Sequence, residues 1–176
     1  MKQRVIFWIG LSLFALFVAA MSPLALLTGC SKQSDGPSAT VRVLTAEEIR
    51  APLGFAFCGD TAFAEVNSAS LPAFYADFRQ ALFDQGVTKW DRRFDCNHFA
   101  SYYVARAQTK FYLANFHSRT TAQTLALGVF WYQSARGPHA IVAAFTERGL
   151  LFIEPQTGGE LQLSPAERAS AWLKLF

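Results

Sequence analysis

Between residues 125 and 163 short apolar runs alternate with turn residues, and this limits the chain more than any other feature. Leu125 to Gln133, His139 to Thr146 and Leu150 to Ile153 are rich in Val, Ile, Leu, Phe and other aromatics, types that fit a pleated surface. Arg136-Gly137-Pro138 and Glu147-Arg148-Gly149 separate them, and Gly158-Gly159 leads into a fourth run, Glu160 to Leu163. Glycine and proline at those points signal tight turns. The pattern predicts an antiparallel meander of three or four strands. With its second turn centred near residue 147 or 148, residue 139 falls opposite residue 155 or 156.

Helical spacing flanks this block. Ser70-Leu71-Pro72 reads as an N-cap with proline in the first turn, and Phe74, Phe78, Ala81 and Leu82 recur at helical intervals until Gly86. A second helix is expected from Asp95 or Cys96 to about Ala114, with Asp95 as its N-cap and Phe99, Tyr103, Arg106 and Ala107 on one side. Ser164-Pro165-Ala166-Glu167 has capping-box spacing and proline at the first helical position, which predicts a third. Helices around an antiparallel sheet place the chain in the α+β class. The 52% of hydrophobic residues supply a core, and no repeat or long Pro/Gly/Ser stretch splits residues 41–176, so one domain is expected there.

The N-terminus has a different composition. Lys2 and Arg4 precede an apolar run from Val5 to Leu27 that closes on Leu27-Thr28-Gly29-Cys30. This resembles a bacterial lipobox, which implies a signal peptide over residues 1–29 and lipid on the Cys30 sulfur. The other reading is a membrane-spanning anchor, since about 20 apolar residues can cross a bilayer. Ser31 to Thr40, SKQSDGPSAT, is too small and polar to fold and reads as a tether, so residues 30–40 are the lipidated cysteine and its linker. The expected location is the bacterial envelope, at the outer membrane facing the periplasm if the cell is Gram-negative. Beyond residue 29 there are 14 basic and 13 acidic residues and no Lys/Arg stripe. That balance argues against nucleic acid as a partner.

Three residues stand out chemically. Cys96 lies at a predicted helix N-terminus, where the helix dipole favours a thiolate. His139 begins a strand, and Glu154 ends the next, close to it in the predicted register. Gln156 is a rival for orienting His139. A thiol, an imidazole and a carboxylate so arranged suit acyl transfer. Cys96 could instead pair with Cys58 in an oxidising compartment, or be a small buried residue. His98 and His117 read as surface histidines, and no CxxC or HxxxH spacing indicates a metal.

The order of these residues resembles the papain-like and transglutaminase-like cysteine hydrolases. The words FDCNHFA, GPHAIVAAF and LLFIEPQTG look most like the cysteine-protease domain at the C-terminus of certain fungal agglutinins. The resemblance covers roughly Ser70 to Gly158. It implies a papain-like fold, a nucleophile-bearing helix packed on a small antiparallel sheet. It also implies a catalytic triad of Cys96, His139 and Glu154, with Trp90 beside the oxyanion, acting on an amide of a protein or peptide through a thioester. Many such relatives have acids directly after the cysteine, and the resemblance alone would allow a calcium site that relies on them. Asn97 and His98 stand there in this chain, and no cofactor is expected. The alternative is a lipoprotein that keeps the scaffold for binding alone.

Overall fold

The computed structural model describes residues 42–176. In chain order the elements are β1 (Val43–Thr45), α1 (Ala46–Arg50), β2 (Ala62–Ala64), a 3-10 turn (Ser68–Ser70), α2 (Leu71–Asp84), α3 (Cys96–Asn115), β3 (Thr124–Leu125), β4 (Leu127–Ser134), β5 (Gly137–Thr146), β6 (Gly149–Ile153), β7 (Glu160–Leu161), α4 (Pro165–Ala169) and β8 (Leu173–Leu175). The expected lipidated Cys30, signal peptide and tether lie outside the described residues.

The predicted meander is the centre of a five-stranded antiparallel sheet in the order β7-β6-β5-β4-β8. Its middle strand explains why the sequence there is a continuous apolar run. Ala140, Val142 and Ala144 face one core, and Ile141, Ala143 and Phe145 face another. Side chains alternate across a strand, so a strand covered on both faces needs apolar residues at every position. The first core holds Phe78 and Leu82 of α2 with Phe99, Tyr103 and Ala107 of α3; the second holds Ile49 of α1 with Phe130 and Phe152.

Local chemistry accounts for the helix ends. The Asp95 side chain accepts from the Asn97 N–H, and His98 completes a capping box in the place usually taken by Glu or Gln. Ser164 and Glu167 form the reciprocal box that starts α4. Ser70 precedes α2, yet its side chain makes no capping bond. Its backbone is helical because it closes the preceding 3-10 turn, where Asn67 is the cap instead.

Strands also form outside the predicted meander. A second sheet, in the order β1-β2-β3, pairs β1 and β2 antiparallel and β2 and β3 in parallel. β8 adds an edge to the large sheet. These strands have two or three residues each, too few to show a period in sequence. The expected class, a papain-like helix on one small sheet, therefore gives way to helices combined with two sheets.

Candidate functional site: a cleft at the start of the long helix

The β5–β6 ladder runs from Thr146↔Gly149 to Val142↔Ile153. Continuing that register brings the start of β5 beside the end of β6, and His139 Nε2 lies 2.7 Å from Glu154 Oε2. Both side chains are mostly buried, at 22% and 16% exposure. Glu154 Oε1 accepts the Gln156 N–H at 3.1 Å, which fixes the carboxylate from its other side. Gln156 contributes backbone rather than its amide to Glu154, so the carboxylate, not the amide, meets His139.

The 154–159 turn is held from α2. The Tyr75 hydroxyl donates to the Gln156 carbonyl at 3.1 Å, and the turn closes with the Gly158 N–H on the Glu154 carbonyl at 2.8 Å. Gly158 has φ +75°, and a Cβ there would come within 2.6 Å of the Tyr75 ring. Only glycine meets both conditions.

Cys96 starts α3, partly buried, with its thiol free. Trp90, Cys96, Arg136, His139, Glu154 and Gln156 line one cleft of about 650 Å³, joined by Ser134, Pro138 and Thr157. Every site residue predicted from sequence within 42–176 therefore borders this cleft. Arg136, Ser134 and Thr157 were not anticipated. Arg136 belongs to the turn before β5, where its residue type signalled a turn and nothing more. Asn97, which takes the place of an acid, accepts from the Trp131 indole N–H, tying the first turn of α3 to β4.

Cys58 and Cys96 are both free, so the disulfide reading falls. Cys58 packs in the second core and Cys96 against the first, and burial raises the Cys58 thiol pKa. The bond that would join Cys96 Sγ to His139 is absent among the described residues, although His139 is bonded to Glu154. His98 bonds Asp95 at 2.9 Å and stacks on Phe94, with ring centroids 5.4 Å apart, so it turns back on the cap and does not continue along the helix. No group of three His, Cys, Asp or Glu side chains suited to a metal occurs among the described residues, and no helix among them is long and apolar enough to cross a membrane.

No family model and no curated protein sequence matches this chain. Solved structures do. One, a PSL1a–E64 complex, aligns with TM-score 0.60 and 18% identity over 76% of this chain. Another is Polyporus squamosus lectin bound to the human-type influenza-binding epitope Neu5Acα2-6Galβ1-4GlcNAc, with TM-score 0.52 and 19% identity over 69% of the chain. The match takes in 51% and 41% of those chains, about half of each or less, so their titles describe more protein than this one.

These findings correct the family expectation. One title names a lectin, and at 18% and 19% identity the likeness is one of fold. The papain-like and transglutaminase-like assignment is replaced by a likeness in fold to these two chains. The thiol-protease activity resting on that assignment is withdrawn with it.

Proposed function

We propose that the protein is a ligand-binding module whose site is the cleft between Trp90, Cys96, His139, Glu154 and Gln156. The observation that carries this reading is the convergence of one exposed indole with a set of fixed polar groups around about 650 Å³. That mixture, an apolar platform with a few placed donors and acceptors, is what a small polar ligand requires. Trp90 is 52% exposed and offers its face to a sugar ring or an alkyl segment. Arg136 offers paired N–H donors to a carboxylate. His139, oriented by Glu154, offers its second ring nitrogen. The titles of the two solved structures, a complex with E64 and a lectin bound to a sialylated trisaccharide, support a binding role for this fold.

The test is titration of the full chain with Neu5Acα2-6Galβ1-4GlcNAc and, separately, with E64, read by calorimetry and by mass spectrometry of Cys96. Saturable binding of either ligand, weakened at least about tenfold by Trp90→Ala, supports the site. No binding of either ligand by about 10 mM removes it. Cleavage of a peptide library by the wild-type chain, lost in Cys96→Ala, would overturn binding as the whole function. Envelope location through lipid on Cys30 is a separate part of the proposal, checked by incorporation of labelled palmitate that Cys30→Ala abolishes.

A further inference from the structure

Lys174 is the inward residue of β8, opposite Phe130 of β4 and only 9% exposed. An aliphatic side chain is the ordinary occupant of such a position, because an ammonium leaves water at a cost. Its Nζ donates to the Leu53 carbonyl at 2.7 Å and lies 5.9 Å from the centre of the Phe130 ring. A second cation sits beside it. Arg168 of α4 donates through Nε to the Leu163 carbonyl at 3.2 Å, with Cζ 5.4 Å from the centre of the Phe152 ring. The two rings touch, with centroids 4.9 Å apart. Two positive charges thus rest on adjoining aromatic faces, and neither has a carboxylate partner among the described residues.

They border a cleft of about 210 Å³ whose other walls are Pro52, Leu53, Leu150 and the two phenylalanines. Among the described residues no acidic side chain lines it, and none of its lining residues is shared with the Cys96 cleft. We propose that this cleft binds a small amphipathic anion, a carboxylate or phosphate monoester on an apolar body of benzyl size. The anion would lie between Lys174 and Arg168, whose remaining N–H groups have no acceptor among the described residues, and the apolar body would lie against Leu53, Leu150 and the rings. Charge-assisted bonds in a partly dry site supply affinity that the same anion lacks in water.

Benzoate and phenyl phosphate are the probes, with benzyl alcohol as the neutral control, each titrated into the full chain and followed by calorimetry. Saturable binding of an anion, at least tenfold tighter than the alcohol and weakened at least tenfold by Arg168→Gln or Lys174→Met, is the expected result. Arg168 is the less buried of the two, so Arg168→Gln gives a folded variant even if Lys174→Met does not. Trp90→Ala should leave this binding unchanged, which separates it from the first cleft. The site is refuted if neither anion saturates by about 10 mM, if the alcohol binds as well, or if Arg168→Gln binds as tightly as wild type.

Discussion

Asp95 carries two consequences at the scale of single residues. Its carboxylate stands beside Cys96, but is turned to the Asn97 N–H at 3.1 Å and to His98 at 2.9 Å. Burial works to raise its pKa, and is outweighed by the bonds from His98 and from the Asn97 and His98 backbone, so the net direction is downward. A carboxyl with a lowered pKa in the fold adds stability above its unfolded value of about 3.9 and loses it as pH falls through the lower, folded value. Asp95→Ala should therefore cost about 1 kcal/mol at neutral pH, the usual worth of an N-cap. It should also flatten the fall in thermal midpoint below about pH 4. Thermal unfolding across pH 2–7 checks both, and an acid limb as steep as the wild type's would refute the role.

Among the elements, β8 depends on one glycine in its neighbour. A Cβ on Gly128 would stand 2.1 Å from the Leu175 carbonyl oxygen and 2.8 Å from the Phe176 ring. Those contacts belong to backbone and to a chain end held by the Phe57 and Gly59 bonds, Phe176 N–H to the Phe57 carbonyl at 2.9 Å and Gly59 N–H to the Phe176 carbonyl at 2.8 Å. Gly128→Ala should push β8 off the sheet edge at a cost of about 1–3 kcal/mol, the range for overpacking. Hydrogen exchange at Leu173, Leu175 and Phe176 should rise while the centre of β5 stays protected. Unchanged exchange at these three amides would show that β4 accommodates the methyl.

For the whole molecule, β5 belongs to two cores at once, and this joins the layers into one unfolding unit. Phe78 is fully buried in the first core, against Phe99 at 6.4 Å and Tyr103 at 5.3 Å between ring centres. Phe78→Ala should cost about 3–5 kcal/mol, as large-to-small changes in cores do. Although Phe78 touches only one layer, the loss should appear as a single shifted transition in urea, with fluorescence and circular dichroism coincident. Two separated transitions would show that the cores melt independently.

Much of this arrangement is legible in the sequence, and the rest is not, for reasons that lie in chain distance. Arg136-Gly137-Pro138 and Glu147-Arg148-Gly149 set the turns, and a turn sets the register of the strands it joins, so the approach of His139 to Glu154 followed from local sequence. The start of α3 followed from Asp95, whose bonds reach only two and three residues along. Other features depend on contacts between segments far apart. β2 meets β3 in parallel across some sixty residues, β8 finds β4 only after the chain has passed through α4, and the cation pair of Lys174 and Arg168 exists because two aromatic rings from different strands touch. What the cleft does is of the same kind. The words around Cys96, His139 and Glu154 place three side chains near one another, but a short motif specifies position and not chemistry. The bond from His139 goes to Glu154 and none joins it to Cys96, an outcome of how α3 is seated on the sheet, which tertiary packing alone decides.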